Sequence, residues 1–210
     1  MLALLIDDHA LFRESVALLV AHRLSELELL LAADIGAGLQ VLAQRPECAL
    51  VLLDLGLPDS SGMAGLERVR AAAPTRPVIV ISADERAQTV HDALDRGAAG
   101  FIPKTADSHA FCEALRRVLD GRVALPPQLA PPLTLLDADA PLGLSPRQSE
   151  VLRLLIEGRS NKDIQRELAL SESTVKTHLQ AVFRRLDVNT RTQAVVAAAR
   201  LGLRFGGYRG

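Results

Sequence analysis

The sequence predicts an α/β domain, a doubly wound five-stranded parallel sheet, followed by an all-α domain of four short helices in a helix-turn-helix arrangement. Three observations carry this. Five short apolar runs alternate with longer amphipathic stretches over residues 1–120, the βα repeat of a parallel sheet. Prolines then interrupt every periodic pattern over residues 121–142. Four helix-start signals follow within residues 143–210.

The strands are expected at Leu2–Ile6, Glu28–Ala32, Ala49–Leu53, Val78–Ser82 and Gly100–Pro103. The third run is apolar on both faces, which marks a central strand covered by helices on each side. The intervening helices show apolar stripes at helical spacing: Phe12, Val16 and Leu19, then Val90, Ala93, Leu94 and Gly97, then Phe111, Leu115, Val118 and Leu119. Pro126-Pro127, Pro131-Pro132 and Pro141 forbid a continuous helix and predict an extended linker at 121–142. Beyond it, Ser145-Pro146-Arg147-Gln148 offers an N-cap, a proline at the first helical position and a capping-box glutamine. Gly158 ends that helix, Ser160 with Asp163 starts a second, Ser171 caps a third and Thr190 with Gln193 a fourth.

The formal net charge of -1 conceals two opposed halves. Residues 1–120 hold 11 Lys/Arg against 17 Asp/Glu, whereas residues 143–210 hold 12 against 6. The basic half suits a polyanion such as nucleic acid, and the acidic half must act otherwise. Cys48 and Cys112 stand alone, without the spacing of a zinc site or a disulfide framework, and are expected as buried reduced thiols. Asp7 and Asp8 interrupt the first apolar run, and no run approaches the ~20 residues of a membrane span. A cytoplasmic protein with no membrane association is expected.

Polar residues enter the strands at their C-terminal ends: Asp7 and Asp8 after the first, Asp54 after the third, Ser82 at the fourth, Lys104 after the fifth. In an open α/β sheet those ends converge on one crevice. Three crowded carboxylates repel one another and call for a cation, and oxygen ligands with retained waters suit Mg2+. Asp8 and Asp54 are expected as direct ligands, Asp7 through water, with the Gly56 carbonyl completing the set. Asp54 is then the phospho-acceptor nucleophile, since phosphoryl transfer needs alignment and neutralisation of three charged oxygens. Lys104 supplies a positive charge and Ser82 a hydroxyl for a phosphoryl oxygen. Drawing Ser82 inward would open a space for Phe101 and so convert local chemistry into a surface change.

In the third C-terminal helix Val175, Leu179, Val182 and Leu186 form one buried stripe, and the opposite face gathers Ser173, Lys176, Thr177, Gln180 and Arg184. Hydrogen-bonding side chains on that face suit a major groove, where base edges present donors and acceptors. Lys176, Thr177 and Gln180 are expected at bases. Ser173, Thr174, Asn161, Lys162 and Arg184 are placed for phosphates.

The segments LLIDDH, LLDLGLPDSSGM, VIVISA and GAAGFIPKTA together resemble a receiver domain of the flavodoxin-like fold over residues 1 to about 120. Residues 143–210, with SNKDI and STVKTH the most specific segments, resemble the LuxR-type helix-turn-helix. The pair is similar to NarL/FixJ-type response regulators. Phe101 stands where many receivers carry tyrosine, Ser82 where some carry threonine, and Gln180 where relatives are often basic. The resemblance implies a sensor histidine kinase as phosphoryl donor, double-stranded DNA as target, and a homodimer formed through the last helix, here Thr192–Leu201. Its small residues Ala194, Ala197, Ala198 and Ala199 would equally pack on the domain's own core. An aspartate-nucleophile phosphatase is the enzymatic rival, but Asp54-Leu-Gly-Leu lacks the second aspartate that such enzymes resemble one another in carrying. No turnover of an external substrate is expected. A constitutive DNA binder is the remaining alternative.

Overall fold

The computed structural model describes residues 1–60, 62–125, 142–201 and 203, so most of the expected linker lies outside the described residues. The chain divides into two compact units, one built on residues 1–119 with Ala124, the other holding residues 142–201.

The first unit is a parallel sheet of β1 (Leu2–Ile6), β2 (Glu28–Ala32), β3 (Cys48–Asp54), β4 (Val78–Ser82) and β5 (Gly100–Pro103), in the order β2-β1-β3-β4-β5. It carries α1 (Ala10–Arg23), α2 (Ile35–Gln44), α3 (Met63–Ala72), α4 (Ala87–Asp95) and α5 (Ser108–Leu119). Helices α1 and α5 pack side by side, and α2, α3 and α4 form a second row. β1, β3 and β4 are covered on both faces and lose nearly all exposure, which explains their unbroken apolar runs. Alternation decides which face each side chain serves. Ala3, Leu5, Leu50, Leu52, Ile79 and Ile81 meet Val16 and Val20 of α1 and Phe111 and Leu115 of α5 in one core.

β3 runs one residue further at each end than the apolar run suggested, so Asp54 is its last residue and its position is fixed by sheet hydrogen bonding. Gly97, expected on the α4 stripe, instead follows that helix with φ +87°, where a left-handed residue closes the helix end. The loop after β3 is tied back to α2: Asp59 accepts from the amides of Ile35 and Gly36, each at 3.2 Å, beside the N-cap Asp34. A residue that reads in the sequence as a turn former therefore anchors the loop following Asp54.

In the second unit α6 (Pro146–Ile156), α7 (Asn161–Leu168), α8 (Glu172–Leu186) and α9 (Arg191–Arg200) start where their caps were read. Ser145 with Gln148, Ser160 with Asp163 and Thr190 with Gln193 form reciprocal capping boxes, and Ser171 accepts from Thr174. Val151, Leu155, Ile164, Val175, Leu179, Val182, Ala194 and Ala198 are buried, with α8 packed against the other three helices. Ala169 closes α7 in the left-handed region, φ 50°, and sets the tight turn into α8. Of the four alanines of α9, Ala194 and Ala198 are wholly buried, Ala197 is half-buried and Ala199 is exposed. No helix among the described residues is long and apolar enough to cross a membrane.

Gly100 tests the sheet's edge. A Cβ there would meet the Ala124 carbonyl oxygen at 2.7 Å, the same oxygen that accepts from Phe101 N at 3.1 Å. Gly100→Val must displace backbone, and we expect it to lower the stability of the first unit by about 1–3 kcal/mol. Urea unfolding followed by circular dichroism would detect this, and an unchanged midpoint would refute it.

Candidate functional site: an acidic pocket and a polar helix face

The sheet order reverses between β1 and β3, and the C-terminal ends of the strands frame a crevice there. Asp7 and Asp8 follow β1, Asp54 ends β3, Ser82 ends β4, and Lys104 follows β5. All five meet around this crevice, as their spacing in the sequence predicts. Lys104 Nζ lies 2.8 Å from Asp54 Oδ2 and 2.9 Å from Asp7 Oδ2. Both acids are buried, with Asp7 at 0% exposure and Asp54 at 4%. One ammonium thus bridges two desolvated carboxylates. Burial pulls the Lys104 pKa down, but the hydrogen bond to Asp54 and the negative charges of Asp54 and Asp7 outweigh it and hold the ammonium above its ordinary value. The Phe12 ring, 4.9 Å away, gives the cation an aromatic face.

The remaining oxygens are also placed. Asp54 Oδ1 accepts from Gly56 N at 3.1 Å, and Asp7 Oδ1 from His9 N at 2.8 Å. Asp7 Oδ2 has the charge of Lys104 beside it but receives no hydrogen bond of good geometry. Asp7, Asp8, His9 and Asp54 each offer a ligand atom, all within 4.8 Å of one another. An oxygen-rich donor set around a buried, under-satisfied carboxylate fits a hard divalent cation. Ser82 Oγ accepts from Asp84 N at 3.0 Å, which leaves its proton free to donate into the cleft. Asp84 itself is held far below the usual carboxylate range by the Arg86 guanidinium, the Thr89 hydroxyl and the Arg86 amide, so it adds a fixed negative charge at the rim. The cleft, about 440 Å3, is lined by His9, Asp54, Gly56, Ser82, Asp84 and Lys104 among others.

Two features escaped the sequence reading. His9 carries its Nδ1 to 2.9 Å from Asp8 and 3.5 Å from Lys104, a proximity signalled only by its place after the two aspartates. Phe12 was read as core, yet its ring also faces the lysine. Phe101, the residue expected to fill a space beside Ser82, lies on β5 and is buried, 2% exposed.

In the second unit, Ser173, Lys176, Thr177, Gln180 and Arg184 are exposed along α8, opposite buried Val175, Leu179 and Val182. Lys176 pairs with Glu172 at 2.7 Å, both side chains more than three-fifths exposed, a contact that yields readily to a stronger anion. Ser171, Ser173 and Thr174 share hydroxyl contacts at 2.8–2.9 Å, and Thr177 Oγ1 donates to the Ser173 carbonyl. Asn161 opens α7 with Lys162, which is exposed, directly after it.

Residues 3–116 match the family described as response regulator receiver domain, and residues 142–198 that of bacterial regulatory proteins, luxR family. The chain belongs to the LuxR-type response regulators. It is similar to the glycerol metabolism activator of Pseudomonas putida, 35% identical over 93% of each chain. The nitrate/nitrite response regulator NarL of Escherichia coli is 30% identical over 92% of each chain. The crystal structure of a LuxR family DNA-binding response regulator from Silicibacter pomeroyi is 28% identical, covers 61% of this chain and 98% of that one, and superposes with a TM-score of 0.53. This response regulator thus joins a receiver domain to a LuxR-type DNA-binding domain and is a transcriptional regulator, not a typical enzyme. Its acidic pocket is of the kind in which receiver domains generally hold Mg2+.

Lys104 stands where a cation is needed, and this sets an expectation for metal binding. Removing it by Lys104→Ala leaves Asp7 and Asp54 unpaired, so the chelator-treated protein should melt at a lower temperature than wild type. The same variant should bind Mg2+ several-fold more tightly by calorimetry, because the ion no longer competes with the ammonium. An unchanged Mg2+ affinity would show that the lysine does not share the ion's charge-balancing role.

Proposed function

We propose that this response regulator accepts a phosphoryl group on Asp54 and that the modified receiver changes how the second unit binds DNA. The observation that carries the reading is the Lys104 bridge between Asp7 and Asp54 at the strand ends, next to a hydroxyl with a free proton. We read residues 1–120 as receiver, 121–142 as linker and 143–210 as output domain.

Asp8 and Asp54, the Gly56 carbonyl and, through water, Asp7 would hold a divalent ion such as Mg2+, which supplies charge neutralisation to the phosphoryl oxygens. The other roles fall to the chain. An oxygen of Asp54 forms the new bond to phosphorus while the donor's P–N or P–O bond breaks and its electron pair leaves with the donor. Lys104, released from Asp54, follows the added charge onto a phosphoryl oxygen. Ser82 donates its hydroxyl proton to another. Both contacts exist only once the phosphoryl group is in place, so they favour a rearranged pocket and shift the receiver's conformational equilibrium. A sensor histidine kinase is the donor that a receiver domain implies, and DNA the target that a LuxR-type domain implies. A cytoplasmic homodimer reading two half-sites fits both.

Acetyl phosphate with Mg2+ should add one phosphoryl mass to the wild type and none to Asp54→Ala. Equal labelling of the two would remove Asp54 from its role. Beryllofluoride, a phosphoryl mimic, should alter DNA affinity in the wild type, whereas identical affinities would favour constitutive binding. On the output side, Lys176→Ala is expected to cost about 1–3 kcal/mol on a specific site if the lysine reads a base, measured by fluorescence anisotropy against a non-specific duplex. A uniform loss on both duplexes would make it a phosphate contact instead.

A further inference from the structure

We propose that Arg191 is a positioning residue for the DNA backbone contact, acting through the side-chain amide of Asn161; this rests on the reading of Asn161 as a phosphate-contacting residue. Arg191 opens α9, yet its guanidinium turns away from that helix. NH1 donates to Asn161 Oδ1 at 3.1 Å, and NH2 donates to the Leu155 carbonyl at 3.5 Å and to the Arg159 carbonyl. Leu155 lies in the last turn of α6, Arg159 in the turn beyond it, and Asn161 is the first residue of α7. The Leu155 carbonyl already accepts from Gly158 N at 3.0 Å, so the guanidinium adds a second donor there and, through Asn161, joins the end of α6 to the start of α7.

The consequence for Asn161 follows from donor chemistry. A guanidinium has donors and no acceptor, so only the amide oxygen can face it. The Asn161 NH2 group is thereby turned to the opposite side of the amide plane. An unrestrained asparagine at this position would present oxygen and nitrogen alike, and oxygen toward a phosphate is repulsive. With the amide locked, the first turn of α7 offers donors: the Asn161 NH2, the exposed Lys162 ammonium and the helix's own leading amides. Arg191 does not itself serve as a surface cation. It is partly buried, its Nε is enclosed without a partner, and burial draws its pKa down to about 10.

The test uses the full chain and a fluorescein-labelled duplex of mixed sequence, with affinity measured over a salt series. Asn161→Ala and Arg191→Gln should each weaken binding by about threefold to tenfold, the effect of one lost hydrogen bond. Their combination should be no weaker than either alone. Because the contact is made by a neutral amide, the slope of log K against log salt should stay at the wild-type value in both variants. If Arg191 met phosphate directly, Arg191→Gln would flatten that slope by about 0.9, and this result would overturn the proposal. Additive losses in the double variant would overturn it as well. Asn161→Asp keeps the Arg191 junction intact and cannot fail through misfolding of that corner. It should melt no lower than wild type while binding DNA more weakly than Asn161→Ala, since the second carboxylate oxygen then faces the phosphates; wild-type affinity in this variant would end the proposal. A wild-type protein that did not retain the duplex at all would be a separate failure, that of the DNA-binding reading itself.

Discussion

Two buried carboxylates and one ammonium govern the first unit. Asp7 and Asp54 are removed from water almost completely, and charges so placed are tolerated only when compensated. Lys104 provides that compensation at 2.8 and 2.9 Å, from a strand that is not adjacent to either partner's. The triad therefore depends on the whole sheet: β1, β3 and β5 must end at one level for three side chains about fifty and a hundred positions apart to meet. It is also under-satisfied, since Asp7 Oδ2 receives no well-aligned hydrogen bond. An oxygen-rich pocket in this condition suits a hard divalent cation.

The rest of the unit holds that arrangement still. The apolar faces of β1, β3 and β4 fix the strand ends by burial, and the register Asp54↔Ile81 places the phospho-acceptor candidate beside β4. Asp59 fastens the following loop to α2, and Asp84 is fixed by Arg86 and Thr89 next to Ser82. Polar anchors surround the crevice while the crevice floor stays charged. The loops can thus carry functional side chains without losing their positions.

The second unit solves a different problem, presenting donors on short helices too small to be stable alone. Reciprocal capping boxes start three of them, and the α8 stripe packs against the other three. Arg191 adds a junction between helix ends that no cap residue supplies. Buried and exposed positions fall on separate faces of α8: Val175, Leu179 and Val182 inward, Lys176, Thr177 and Gln180 outward.

Strand positions, helix starts and the five pocket residues were legible in the sequence, because periodicity, caps and polar interruptions are local patterns and parallel sheets bring strand ends together by rule. The family was legible for the same reason, its motifs lying in order at those ends. Contacts between distant residues were not. That Phe12 would face Lys104, that Asp59 would cap α2 and that Ala194 and Ala198 would be wholly buried depend on which side chains share a space. Arg191 shows this most clearly: in the sequence it is one basic residue after a cap, and only the packed helices bring the carbonyls of Leu155 and Arg159 and the amide of Asn161 to its fork. Sequence determines what each segment prefers to be; tertiary packing decides which unsatisfied groups each side chain meets.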